Sequence, residues 1–480
     1  MRITRIFLSL LLLCSTASVL AQPVILQSIV YNQVGSTASI VNGVAVDLWG
    51  DDMLITGWRT DVLDFGGVPH EAGTGAIFLT RVDLNGNVVW SKVSGSADIL
   101  GNNKGLSVAV DDYNSSVYNV GQLFAAEEAN FDGTVLPAGA LGYVAKYSAS
   151  GTLLWVKDFP AGVYSIAVDF AGNPFVNLGD NTIAKLDPAN GNTVASAPAS
   201  GDLQNVVYHN IVVGEGNNVV AQWGNSITKY DNALNEIWST PISKPFGAET
   251  YRITIDTYND VWATFYALSG TVSLGGTDYT SFPAGYVYQL GAATGDVITC
   301  LSPGAFKLKE LFEKEPGGIG FIVSGDFAFN SPYVAKYDDQ FEQVWAVPTF
   351  TTVDMALIYD DAVVLGGSHS EDITADGTIY ARPNASGQDN AIAGYLSGPS
   401  LGMADRGRAK MFRVWPNPAD DQVSISVNNR EVVRVSDAVG VCVWTGQMPD
   451  NGDLNVGIWP AGVYTVRNSA GGSARLIVAH

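Results

Sequence analysis

An all-β fold follows from three features of this 480-residue sequence. A two-part pattern of alternating apolar and polar residues recurs seven times, Asn-Gly, Ser-Gly or Thr-Gly turns separate its strands, and a distinct strand-rich block occupies 412–480. Together they predict a seven-bladed β-propeller whose last blade is closed by the N-terminal strand, followed by a small Ig-like β-sandwich.

Each repeat opens with an apolar strand, an aspartate with a tight turn, and a second strand often ending in glycine. Clear copies are GVAVDLWGDDMLITG (43–57), SVAVDDYNSSVYNVG (107–121), SIAVDFAGNPFVNLG (165–179), NIVVGEGNNVVAQWG (210–224) and RITIDTYNDVWATFY (252–266), with weaker ones at 311–325 and 355–367. The second half follows in turn, as in AIFLTRVDLNGNVVW, GYVAKYSASGTLLW and PYVAKYDDQFEQVW, and ends truncated as AIAGYLS. Alternation over about five positions around such turns is the pattern of antiparallel hairpins. Two hairpins make a four-stranded sheet, and repeat starts 42 to 64 residues apart fit propeller blades. The seventh copy stops at Leu396 without its fourth strand, while PVILQSIVYNQV (23–34) supplies an unpartnered one. Pairing the two would complete the blade and remove an exposed edge. The repeat resembles a bacterial β-propeller repeat with an AVD turn, a GN-x-Y-V-T-G strand and a D-x-F-V-x-K-x-D strand. It is also similar to pyrroloquinoline-quinone-type repeats, in which D-x-x-T-G-x-x-x-W docks the blades, as at 187–194. The resemblance spans 25–397 and implies architecture, not chemistry.

Composition narrows the class. With 25 basic and 47 acidic residues the chain carries −22, a field that repels nucleic acid and anionic lipid. A hydrophobic fraction of 47% against 15% charged residues provides a core and excludes disorder. Arg2 and Arg5 precede an apolar run at 6–14, and Val19 and Ala21 stand at −3 and −1 before Gln22, so 1–21 reads as a signal peptide. No other stretch approaches the ~20 apolar residues of a spanning helix. Beyond the signal the cysteines are Cys300 and Cys442, one in each domain, which reads as two lone buried thiols and no disulfide.

Recurrent residues read as structural. Asp47, Asp111, Asp169 and Asp256 share one repeat position, where an acid caps its own turn in preference to binding calcium. Trp90, Trp155, Trp238 and Trp345 share another and pack blades together. His70, His209, His369 and His480 have no ligand spacing on one strand, and G-x-S-x-G and H-E-x-x-H are absent. The expectation is no catalytic constellation, no metal and no cofactor.

What varies points elsewhere. The connection between second and third strands is short in blades three and four, at Asp180 for example, but long at 58–75, 122–141, 267–284 and 368–390. The long ones share mini-hairpin cores, such as Asn130-Phe131-Asp132-Gly133 and Ser273-Leu274-Gly275-Gly276. All emerge on one face of a propeller. They either cover blade edges or form a binding wall, which would carry Trp58, Arg59, His70, Glu71, Glu127, Glu128, His369, Glu371, Asp372 and Arg382. The sequence favours a non-enzymatic module binding an extracellular protein or glycan. The alternative is a secreted carbohydrate-active enzyme drawing on Glu71, Glu127, Glu371 or Asp372.

After a glycine- and charge-rich linker at 398–411, the blocks FRVWPNPADDQVSISV (412–427), VVRVSDAVGVCVW (432–444), GIWPAGVYTV (457–466) and ARLIVAH (474–480) resemble the C-terminal sorting domain of the type IX secretion system of Bacteroidetes. The resemblance implies recognition by the outer-membrane translocon, then removal by a sortase, and a secreted or outer-surface destination reached via the periplasm. It assigns sorting roles to Pro416, Asn417, Pro418, Asp437, Gly440, Gly462, Tyr464 and Arg475, the last standing where the family commonly has lysine.

Overall fold

In the computed structural model every regular element among the described residues is a strand. The described residues are the strands named below and the turns given contacts here, between 25 and 480; 1–24, 397–413 and shorter connections, the longest being 199–210 and 381–388, lie outside them. The signal peptide and linker expectations therefore fall outside the described residues.

The alternating segments form antiparallel four-stranded sheets in chain order. The first comprises Ile40–Asp47, Asp52–Trp58, Ile77–Asp83 and Val88–Ser94. The second comprises Lys104–Asp111, Ser116–Gln122, Gly142–Tyr147 and Leu153–Phe159, the third Val163–Val168, Pro174–Leu178, Thr182–Leu186 and Thr193–Pro198. The fourth holds Ile211–Val213, Val219–Trp223, Ser226–Tyr230 and Glu236–Ser243, the fifth Glu249–Ile255, Val261–Ala267, Ala284–Leu290 and Val297–Gly304. Lys307–Glu315, Gly318–Gly325, Tyr333–Tyr337 and Gln343–Pro348 make the sixth. In the last, Met355–Tyr359, Ala362–His369 and Asp389–Leu396 are joined by Ile25–Val34, with Ile29 opposite Ile392. Each sheet meets the next through its first strand, and Met355–Tyr359 meets Ile40–Asp47. This is a β-propeller arrangement.

Packing between sheets explains the burial pattern. Middle strands are covered on both faces by neighbouring sheets, so Gly142–Tyr147 and Ser226–Tyr230 are buried at every position. Fourth strands have one face in solvent, and Glu236–Ser243 alternates accordingly. Interior clusters cross the boundaries between sheets: Tyr118, Val120 and Val144 of the second pack with Ile166, Val176 and Leu186 of the third.

One contact repeats around the body. Trp90 in the fourth strand of the first sheet donates Nε1–H to Ala149 O, in the turn before the fourth strand of the second, at 2.9 Å. Trp155 does the same to Pro188 O at 3.1 Å, and Trp238 to Ala292 O at 3.1 Å. A third-strand side chain reaches the same carbonyl: Arg81 to Ala149 O at 3.2 Å, Lys146 to Pro188 O at 3.0 Å and Lys229 to Ala292 O at 3.0 Å. Burial lowers the pKa of Lys146 and of Lys229. Each bond contributes about 1 kcal/mol, and the indole adds its buried area.

The clamp requires a bare backbone opposite the indole. Gly151, Gly191 and Gly295 have φ of 81°, 75° and 69°, and a Cβ on them would lie 2.8, 2.7 and 2.5 Å from ring atoms of Trp90, Trp155 and Trp238. The third sheet has Ala195 where the first, second, fourth and sixth have tryptophan. Leu234, at φ 66° in the facing turn, is buried and packs in the cluster that Ala195 borders. A leucine thus fills the space an indole leaves empty.

The repeated aspartates cap as expected at two positions. Asp169 Oδ1 accepts from the Ala171 and Asn173 amides at 2.9 and 2.8 Å. Asp256 accepts from Tyr258 and Asp260 amides and from the Trp262 indole, each at 2.9 Å. Asp47 takes Arg81 Nη2 at 2.5 Å and Ser115 of the second sheet at 3.2 Å. Trp345 and Cys442 have side chains outside the described residues. Cys300 is free and half-buried, not buried, with its thiol pushed up to about 12 by burial.

Replacing Trp155 by alanine is expected to cost about 2–4 kcal/mol in chemical denaturation. Gly191→Ala should cost about 1–3 kcal/mol. Because the new methyl meets the indole, the double variant should be destabilised by less than the sum; additive losses would mean that ring and turn are not in contact.

Candidate functional site

The four long connections each fold into a hairpin: Val62–Phe65 with Val68–His70, Ala129–Phe131 with Thr134–Leu136, Val272–Leu274 with Thr277–Tyr279, and Ile373–Ala375 with Thr378–Tyr380. Asp132 and Gly133, at φ 48° and 91°, and Gly275 and Gly276, at 58° and 82°, are both-positive pairs of the type I′ turn.

Three of these hairpins run outward onto the outer edge of the preceding sheet. Val62–Phe65, from the first sheet, pairs with Ile25–Val34 of the last, placing Leu63 opposite Gln33. The second sheet's hairpin bridges Gly95 to Asn130 through amide bonds of 2.9 and 3.1 Å, with Lys92 and Asp132 paired at 2.7 Å. The fifth sheet's hairpin sets Leu274 opposite Ile242 of the fourth. Phe131 in the second sheet's hairpin, and Val272 and Leu274 in the fifth's, are fully buried and anchor those two. Edge covering is thus what these insertions do. It satisfies backbone groups that would otherwise template aggregation.

The expected site residues distribute accordingly. Trp58 ends the second strand of the first sheet, half-buried, and Arg59 beside it is buried at 1% exposure. Glu127 and Glu128 are exposed in the second sheet's connection. His70 closes a hairpin strand opposite Leu63, and His369 closes its strand opposite Asp389. Glu71, Glu371, Asp372 and Arg382 lie outside the described residues.

Because the hairpins fold outward, the middle of that face carries strand ends. Lys104, opening the second sheet, stands opposite Gln122 in register, and its Nζ lies 5.9 Å from the Trp58 ring centroid. Gln122 Nε2 donates to Tyr164 OH at 3.0 Å. Sequence reasoning passed over Lys104, Gln122 and Tyr164, which sit where each repeat differs in side chain and matches in backbone.

The C-terminal segment folds into two sheets: Val414–Trp415, Gln422–Ile425 and Asp453–Asn455 in one, Cys442–Gln447, Val432–Asp437, Gly462–Asn468 and Ser473–Val478 in the other. Val423, Leu454, Val435, Val466 and Leu476 share a single core. Tyr464 is buried, 5.2 Å from the Trp459 ring, and donates to Pro460 O at 2.6 Å. Gly462 pairs with Val478, Asp437 with Tyr464 and Arg475 with Thr465. Pro416, Asn417, Pro418 and Gly440 lie outside the described residues. The last strand is locked by Ala419 N to Ile477 O at 2.8 Å and Ala479 N to Ala419 O at 2.9 Å.

Residues 413–479 match the family model described as "Secretion system C-terminal sorting domain". The sorting domain therefore begins where the strand blocks of the sequence begin. No curated protein matches the chain. Among solved structures, BamB from Moraxella catarrhalis is 13% identical at a TM-score of 0.46, covering 78% of this chain and 99% of its own. Raptor from Chaetomium thermophilum gives 9% and 0.47, with 79% of this chain and 29% of Raptor covered. The C-terminal WD40 domain of Sif2 gives 10% and 0.43, with 79% and 99% covered.

His480 closes the sorting domain. Its Nε2 lies 2.8 Å from Trp459 O and its Nδ1 3.2 Å from Asp420 Oδ1, so only the imidazolium donates to both. The Trp459 carbonyl bond, then Asp420, raise its pKa above the ordinary 6.5, with Asp421 adding a smaller pull. The sign follows from linkage: the contribution is complete below the ordinary value and is lost as pH rises through the raised one. An NMR titration of His480 should give a midpoint above 6.5 that Asp420→Asn lowers. A midpoint at or below it contradicts the clasp.

Proposed function

We propose that the chain is a non-enzymatic binding module, exported by the type IX system and displayed on the cell surface or released. The observation that carries this reading is the sorting domain at 413–479, joined to a body elaborated on one face. The finer architecture belongs to the same proposal. Residues 22–397 form a seven-bladed ring closed by 25–34, after a signal peptide at 1–21; a linker at 398–411 leads to an Ig-like sandwich at 412–480. First-strand contacts running from sheet to sheet and back to Ile40–Asp47 support ring closure, and the shared core of two sheets supports the sandwich.

Export runs through the periplasm, with translocon and sortase engaging the C-terminal domain. The ligand is an extracellular protein or glycan, met on the face of the insertions. Trp58 is its proposed anchor, with Arg59, His70, Glu71, Glu127, His369, Asp372 and Arg382 as the further proposed contacts. Aromatic and arginine anchors are the side chains that dominate binding energy.

Deleting 413–479 should leave a folded body, with an unchanged melting transition, retained in the periplasm. Protease shaving of intact cells checks this. Surface exposure of the deleted form at the level of the full chain would sink the reading.

A further inference from the structure

We propose that Trp58, Lys104, Gln122 and Tyr164 form a ledge that docks a neutral pyranose glycan. The inference rests on the binding-module reading and gives it a ligand class. All four lie at strand ends on the face where the insertions begin, and all four are half-buried. They are contiguous: Lys104 Nζ is 5.9 Å from the Trp58 centroid, Lys104 stands opposite Gln122, and Gln122 Nε2 donates to Tyr164 OH at 3.0 Å.

Glycines let the row cross from one sheet to the next. A Cβ on Gly162 would come within 3.0 Å of Gln122 Cγ, and one on Gly179 within 3.0 Å of Tyr164 Cε2. Both side chains therefore lie directly on the backbone of the third sheet. Among the described residues that sheet adds only a tight turn between its second and third strands, in which Asn181 takes φ 66° and donates its amide to Leu178 O. The hairpin of the second sheet leaves toward Gly95, on the other side.

The chemistry of the row suits a sugar. Pyranose rings present C–H faces that lie on aromatic rings, and hydroxyls that need both donors and acceptors. Trp58 and Tyr164 offer the first, while the Gln122 amide, the Lys104 ammonium and the Tyr164 hydroxyl offer the second. One cation is present and no carboxylate. The −22 charge of the whole chain disfavours polyanionic partners, so the glycan is neutral.

The test is calorimetric titration of the full chain with cellohexaose, mannohexaose and a hexagalacturonate. Binding of a neutral hexasaccharide is expected, weakened at least about fivefold by Gln122→Ala and by Tyr164→Ala. Tyr164→Phe, which keeps the ring, should lose less, and Asp158→Asn on an exposed edge strand should bind normally, all with unchanged melting. Binding confined to hexagalacturonate, or absent for all three sugars, overturns the proposal. Binding that survives both alanine variants but fails in Arg382→Ala overturns the ledge and keeps the wider reading. Shortened sugars in the cell, seen by chromatography, would refute the non-catalytic reading separately.

Discussion

The carbonyl of one sheet's last turn, held by the tryptophan and the third-strand side chain of the sheet before it, is the contact on which the body depends. Four-stranded sheets of this size cannot bury both faces alone, and each must borrow a neighbour. Hydrophobic clusters across the boundary supply area but little direction. The indole bond supplies register, because Nε1–H reaches Pro188 O or Ala292 O only when the sheets sit at one relative height. Positive-φ glycines at Gly151, Gly191 and Gly295 are the backbone condition for that approach.

These clamps lie at the end of the sheets that carries the first-to-second and third-to-fourth turns. Asp47, Asp52 and Ala149 all meet Arg81 there. That end is occupied by structure, and its side chains repeat. The opposite end, where second strands pass to third, is free to vary. It does so in two ways: outward hairpins that cover neighbouring edges, and strand-end side chains that differ from sheet to sheet. A propeller that stabilises itself through one face leaves the other free to vary.

Much of this was legible in the sequence. Period-two alternation and turn dipeptides marked the strands, the aspartates at Asp169 and Asp256 capped turns, and the recurring tryptophans docked sheets. The mini-hairpin cores turned at Asp132-Gly133 and Gly275-Gly276. Where the hairpins go was not legible, since edge pairing is a long-range choice that local pattern does not encode. The compensation at Leu234 was also passed over, although it has a signal. Tryptophan at 90, 155 and 238 goes with glycine in the next turn, while Ala195 goes with Leu234. His480 and Asp420 gave no local signal, because their bond joins positions 60 apart.

Closure of the ring by the N-terminal strand is the claim on which the architecture and its exposed face rest. Hydrogen exchange of those amides within 29–31 that bond to Asp389–Leu396, set beside those of 363–365 in the same sheet, measures it most directly. The account predicts that both groups exchange together, only through unfolding of the sheet. Rapid exchange at 29–31 with full protection at 363–365 would show a strand that merely rests on the edge, and would contradict closure.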